Sequence, residues 1–412
     1  MTRRELHNQI QDLKGNIRVM VRVRPFLSHD GENVGTPIRF EPDSRTVLIQ
    51  SVGERSKKHR FKFDHVFRFE STQAQCFEEV SALVQSALDG YNVCLFSYGQ
   101  TGSGKTHTMQ GSPDGEMRGM IPRSIEKVLE QASRLKQQGW QYVLRVSFLE
   151  IYNETIRDLL GNNNNNNSKG QKAGGLEIKL SKSRDNVEVV GLTKVEVRQA
   201  RAALMEAVAD LIVQANKARS VAATKMNIQS SRSHSVFTMY LTGTNKKQGL
   251  EATGQLHLCD LAGSERLSRS QVTGDRLKET QAINKSLSCL SDVFFNIAQK
   301  SPHIPYRNSK LTYLLQNCFG KDGKTMMFVN LSPTMQSQNE TICSLRFASK
   351  VNQCQLGKPT KQVKRVVPAS APVSPAKVRG GGSMSARQHG RSRRPTIPRG
   401  SMITSHKRGM SK

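Results

Sequence analysis

Residues 99–106, Gly-Gln-Thr-Gly-Ser-Gly-Lys-Thr, carry the clearest chemistry in this sequence of 412 residues. They match G-x-x-x-x-G-K-[ST] and follow the apolar run Val93-Cys94-Leu95-Phe96, which reads as a strand feeding a loop. In such a loop Gln100, Thr101, Gly102, Ser103 and Gly104 bring backbone N–H groups around a β-phosphate. Lys105 reaches the terminal phosphates, and Thr106 offers its hydroxyl to Mg2+. The segment Gly254 to Glu265 places Asp260 at the end of a second apolar run, where a carboxylate can hold the Mg2+ shell, directly or through water. Gly263 follows, and its N–H is expected to be free to bond a γ-phosphate and so to sense its presence. A third run, Asn227-Ile228-Gln229-Ser230-Ser231-Arg232-Ser233-His234-Ser235, has no periodicity for a core. Ser231 can ligate Mg2+ or hold a water, and Arg232 suits a carboxylate partner. A capping run or a phosphorylation site is the plainer alternative for this stretch.

These segments need a scaffold, and the sequence supplies one. From Ile17 to about Gln355, short β-rich runs alternate with helical stretches, which predicts an α/β domain around a central sheet. Before it, Leu6, Ile10, Leu13 and Ile17 recur at four- and three-residue steps, as in the last heptads of a coiled coil, until Gly15-Asn16 breaks the helix. Within the domain, six asparagines at 162–167 read as an inserted surface loop. Beyond Gly357 there are 14 Lys and Arg and no Asp or Glu, a composition that predicts disorder. The organisation expected is therefore a helix over 1–14, the α/β domain over 15–356 and a basic tail over 357–412.

Bulk properties narrow the partners. The net charge of +29 points to an anionic polymer or surface. No stretch approaches the ~20 apolar residues of a membrane-spanning helix, so no membrane partner is expected. The seven cysteines are scattered without zinc spacing and read as reduced structural thiols.

In order and spacing, the three polar segments resemble the phosphate loop, switch I and switch II of kinesin motor domains. Further matching stretches are RVRPF at 22–26, FLEIYNETIRDLL at 148–160, LKETQAINKSL at 277–287 and HIPYRNSKLTYLLQ at 303–316. The resemblance implies a kinesin-type P-loop NTPase fold, a mixed sheet with a mostly parallel core and helices on both faces. It implies ATP and Mg2+ as cofactors, an Arg232–Glu265 ion pair that closes over ATP, and Glu265 accepting the attacking water's proton through a water relay. It places adenine between Arg22, Arg24, Pro25 and His107, with Asn227 and Ser230 among the nucleotide contacts. It further implies microtubule contact through Arg266, Arg269, Tyr306, Arg307 and Lys310, with no nucleic acid partner.

LKGNIRV at 13–19 and LRFASKVNQCQLG at 345–357 resemble the two ends of kinesin-14 heads, which implies minus-end-directed movement or sliding. The same resemblance implies a homodimer joined through a stalk outside these residues, in the cytoplasm and cytoskeleton, with the spindle or nucleus as finer expectations. The other readings are a non-motile microtubule adaptor and a depolymerising kinesin. The region near Ser51 to Arg60 is short and lacks the basic Lys-Val-Asp tip of depolymerisers.

Overall fold

The chain is seen in a computed structural model that describes residues 3–31, 35–50, 57–112, 115–161, 176–180, 187–197, 210, 212–217, 231–265, 275–320, 323–354, 359 and 361–365. In chain order the elements are α1 (Arg3–Leu13), β1 (Ile17–Val23), β2 (Ile38–Phe40), β3 (Thr46–Gln50), β4 (Lys58–Lys62), β5 (His65–Phe67), α2 (Gln73–Leu88), β6 (Asn92–Tyr98), α3 (Lys105–Met109) and α4 (Met120–Lys136). After these come β7 (Trp140–Tyr152), β8 (Thr155–Asp158), β9 (Ile178–Leu180), β10 (Val187–Val189), β11 (Val195–Val197), β12 (His234–Asn245) and β13 (Leu250–Asp260). The last are α5 (Asp275–Ala298), α6 (Lys310–Phe319), β14 (Gly323–Leu331), α7 (Gln338–Asn352) and β15 (Val363–Arg365).

Among the described residues ten strands form one sheet, whose main path runs β11-β7-β12-β13-β6-β14-β1-β5. β13, β6, β14, β1 and β5 are parallel neighbours, while β12, β7 and β11 run antiparallel. The expected mixed sheet with a parallel core is thus the one that folds. β6 and β14 are buried along their whole length, which is why both read as continuous apolar runs rather than as alternating ones. β1 is also fully buried, but it alternates in type: Ile17, Val19, Val21 and Val23 face one layer while Arg18, Met20 and Arg22 face the other.

Helices cover both faces. α5, α6 and α7 bury Leu290, Phe294, Leu315 and Leu345 in one core, and α2 and α4 bury Val84, Leu88, Ile125 and Val128 in the second. Phe294 of α5 is held by Phe96 of β6, Phe319 of α6 and Phe347 of α7, with ring centroids 6.1, 5.0 and 6.5 Å away. Burying one such ring contributes roughly 2–3 kcal/mol, so this point of α5 is firmly fixed to the sheet.

α1 turns its polar side inward. Asn8 donates to Asp89 at 3.0 Å, and Asp12 accepts from the buried Lys324 ammonium at 3.2 Å. Leu6, Ile10 and Leu13 are left exposed. The helix stops where Gly15 takes a left-handed conformation, φ 88°.

At the other end, residues 1–367 form one unit and 368–412 a second, all of which lies outside the described residues. Composition predicts disorder from 357 onward, yet Val363–Arg365 pairs antiparallel with the start of β13, Leu250 to Ala252. The reason is an open edge: β6 pairs only with Gln255 to Asp260, which leaves the first residues of β13 without a partner on that side until β15 arrives. Gln362 extends the contact, accepting from Thr253 N at 3.0 Å and donating to Gly90 O at 2.9 Å. The asparagine insertion at 162–167 lies outside the described residues.

Candidate nucleotide site

Strand register assembles the site. β6 and β13 run parallel with Ser97 opposite Asp260, so the acidic residue emerges beside the phosphate loop. β12 pairs with β13 with Ser235 opposite Asp260, which brings Ser231 to His234 alongside Leu261 to Gly263. Three segments distant in sequence thus meet at one end of adjacent strands, as they must if one ligand is to touch all three.

Asp260 is buried and held at both oxygens. Ser97 Oγ donates to Oδ1 at 3.1 Å and Thr106 Oγ1 to Oδ2 at 2.6 Å. Carboxylate and hydroxyl therefore sit side by side, a pairing of hard oxygen donors suited to a hydrated divalent cation. Lys105 is buried, and its ammonium donates to the carbonyls of Gly99 and Gln100, each at 2.9 Å. Burial lowers its pKa, opposed by the charges of Asp260 and Glu265. A buried ammonium whose hydrogen bonds go to neutral carbonyls is stabilised further by an anion, and phosphate oxygens are suitable acceptors. The Ser103 hydroxyl is buried with no hydrogen-bond partner among the described residues, and beside Gly102 there is open space for a ligand. The loop fits an oxyanion.

Glycine is required sterically at 99, where the neighbour is backbone, while at 263 the neighbours are side-chain ends that can shift. Gly99 has φ 148°, and a Cβ there would lie 2.2 Å from the Asn330 carbonyl of β14. At Gly263 a Cβ would lie 2.6 Å from Thr101 Oγ1 and as close to the Glu265 carboxylate.

The structure departs from the sequence expectations at several residues. Arg232 pairs with Glu279 of α5 at 2.8 Å, while Glu265 accepts from Thr101 N at 2.8 Å and from the Thr101 hydroxyl; the expected Arg232–Glu265 pair is not formed. The Gly263 N–H, expected to be free, donates to Ser231 O at 2.8 Å, and the next amide, Ser264 N, donates to Gly99 O at 3.1 Å. Each group has taken a local partner within reach.

Arg22 lies inside the fold close to His107, whose pKa is lowered by partial burial and further by the Arg22 charge. Arg22 is buried among α2 and α3, donating to Gln73 Oε1 at 2.6 Å and Thr108 Oγ1 at 2.9 Å, because it lies on the inner face of a fully covered strand. Arg24 points the other way, donating to Gly102 O at 2.7 Å and pairing with Asp30 at 2.7 Å. That guanidinium and the Leu27 amide hold the Asp30 carboxyl down at about 2. Pro25 and His107 are exposed, as a ring-binding edge requires. Asn227, Ser230, Arg266 and Arg269 lie outside the described residues.

Sequence reasoning passed over His234. It is fully buried; its Nδ1 accepts from Ala262 N at 3.1 Å and its Nε2 meets Ser286 Oγ of α5 at 2.7 Å. Its position three residues after Ser231, at the start of an apolar strand, was the available signal. Asp30, the clamp on Arg24, had no signal of its own.

A model of the kinesin motor domain matches residues 22–354. The chain belongs to the kinesin motor domain family. It is 50% identical over 374 residues to kinesin-like protein KIN-14C of Arabidopsis thaliana, covering 88% of this chain and 46% of that protein. It is 49% identical over 366 residues to carboxy-terminal kinesin 2 of Xenopus laevis, covering 86% of this chain and 55% of that protein. Among solved structures, the C-terminal motor and motor homology domain of Kar3Vik1 fused to a synthetic heterodimeric coiled coil is similar with TM-score 0.73 and 44% identity, over 85% of this chain and 88% of that one. The chain spans about half the length of the curated relatives it matches. These relatives group it with the kinesin-14 members of the family.

In this kinesin head, Arg307 is exposed and lies over the Tyr313 ring, 5.5 Å from its centroid. Tyr306 instead serves the body: it packs against the core, its hydroxyl donates to Phe319 O at 3.4 Å, and burial pushes its pKa up to about 12. Lys310 begins α6, its backbone N–H donating to Glu154 at 2.8 Å. The Tyr306–Asn308 turn and α6 both pack against α5, so the exposed Arg307 and the half-buried Lys310 ride on the same layer as the helix that holds Glu279.

Proposed function

We propose that this head is a microtubule-stimulated ATPase that moves toward the microtubule minus end. The observation that carries this reading is the convergence of Lys105, Thr106, Asp260, Gly263 and Glu265 at one end of the central strands in a kinesin head, beside a helix on whose layer the exposed Arg307 sits. Lys105 binds the terminal phosphates, exchanging two loop carbonyls for phosphate oxygens. Thr106 and Ser231, with Asp260 through water, are the residues to hold Mg2+, which when bound supplies charge neutralisation at the β- and γ-phosphates. Pro25 and His107 flank the adenine, and Arg24 steadies the loop from Gly102 rather than the ring.

The observed pairs correspond to the state before closure. Arg232 leaves Glu279 and Glu265 leaves Thr101; the two then meet over the nucleotide, exclude bulk water and position the attacking one. Glu265 Oε accepts its proton through a short water relay. Arg307 and Lys310, with Arg266 and Arg269, steer docking to the acidic tubulin surface, an attraction screened over ~8 Å at physiological salt.

Two observations support the direction and the assembly. The kinesin-14 relatives share the whole head, and α1 sits directly on it through Asn8 and Asp12 while turning Leu6, Ile10 and Leu13 outward, as the end of a dimeric coiled coil would. The working place is the cytoskeleton, with the spindle as the finer proposal. Surface-attached protein should glide polarity-marked microtubules with their plus ends leading; gliding with minus ends leading overturns the assignment of direction.

A further inference from the structure

His234 lies where three parts of the site meet, and its hydrogen bonds can be given a direction. The Ser286 hydroxyl donates to Ile283 O at 2.7 Å within α5, so the contact from Nε2 is one that Ser286 accepts. Nδ1 faces the Ala262 N–H and must accept. The imidazole is therefore neutral with its proton on Nε2, and burial together with the Lys105 charge pushes its pKa down to about 3. A proton on Nδ1 would set a donor against a donor.

The chain of bonds leads from α5 to the phosphate loop. Ile283 O, Ser286 Oγ, His234 and Ala262 N are followed at the next residues by Gly263 N donating to Ser231 O and Ser264 N donating to Gly99 O. Leu261 and Ala262 are buried, so this turn has little freedom to move independently of its partners. α5 is fixed by rings at Phe294, and Ser286 lies eight residues away, about 12 Å along the helix. A tilt of about 5° about that point shifts Ser286 by about 1 Å, enough to lose a hydrogen bond. The turn that carries exposed Arg307 packs on the same helix.

Resting on the ATPase reading above, we propose that His234 is the positioning residue through which α5 sets the Leu261–Gly263 turn, and that stimulation of hydrolysis by the polymer depends on its bond to Ser286. Ser286→Ala removes one hydroxyl from α5 and touches nothing that binds nucleotide. Its basal ATP turnover should stay within about twofold of the parent, while maximal microtubule-stimulated turnover falls about tenfold, the expected effect of one lost buried hydrogen bond. The Ala262 amide should exchange its hydrogen faster in Ser286→Ala, because the ring loses its anchor. His234→Asn keeps an acceptor for Ala262 but cannot reach Ser286, so it should be no worse combined with Ser286→Ala than alone. If His234→Asn fails to fold, Ser286→Ala and the exchange measurement carry the test. Full stimulation in a folded Ser286→Ala protein, with unchanged Ala262 exchange, overturns the proposal while leaving the ATPase reading intact. Absence of stimulation in the parent protein overturns both.

Discussion

Arg232 sits 2.8 Å from Glu279 while Glu265 is engaged by Thr101, so two glutamates can claim one guanidinium and the nearer holds it. Removing the competing charge should favour closure: Glu279→Gln is expected to raise basal ATP turnover two- to fivefold in steady-state assays, the scale of a partly exposed ion pair worth ~1 kcal/mol or less. Unchanged or lower basal turnover would show that Glu279 does not restrain Arg232. His234 gives a second residue-scale prediction. In the fold its ring takes up a proton only at about 3, against ~6.5 in an unfolded chain, so between those values the unfolded chain binds the extra proton. Its contribution to stability is complete above about pH 6.5 and is lost as pH falls toward 3, amounting to about 2 kcal/mol by pH 5. Denaturant unfolding at pH 7 and pH 5 should show this loss in the parent and not in His234→Asn; equal losses would contradict it. The residues of the phosphate loop were legible in sequence because their types and spacing are fixed by phosphate chemistry. Arg22 was not, because only the pleat of β1 decides that it faces α2 and α3.

At the scale of elements, the central parallel strands β6 and β14 were legible as largely apolar runs, since both of their faces are buried. β15 was hidden. Lys-Gln-Val-Lys-Arg at 361–365 has the composition of a solvated tail, and its strand conformation comes from the vacant edge of β13. Truncation after Gln355 should accelerate hydrogen exchange at Thr253, whose amide donates to Gln362 O at 3.0 Å, and leave Leu258 in mid-strand protected. Equal protection of Thr253 in both lengths would argue that β15 does not persist. In the loop after β13, Gly263→Ala sets a methyl 2.6 Å from Thr101 Oγ1 and against the Glu265 carboxylate, so by displacing these side-chain ends it should lower ATP turnover several-fold without lowering Tm by more than a few degrees. A fully active Gly263→Ala would show that the turn has room to yield.

For the whole molecule, the charge of +29 pointed to an anionic partner but could not choose one; the layer holding α5, α6 and the Tyr306–Asn308 turn makes the acidic lattice of tubulin the proposed choice. Which residues of the matching stretch face the partner was only partly readable, because Tyr306 lies beside Arg307 in sequence yet gives its hydroxyl to the body of the head. The outward stripe of Leu6, Ile10 and Leu13 was readable from its spacing, and the buried Asn8 opposite it was not. Arg307→Ala should raise the microtubule concentration for half-maximal ATP turnover several-fold, with the gap narrowing as salt is added. The most direct measurement is ATP turnover by the purified chain with and without microtubules at low ionic strength. Stimulation of at least tenfold, abolished in Lys105→Ala, is the result expected; turnover indifferent to the polymer would contradict the account.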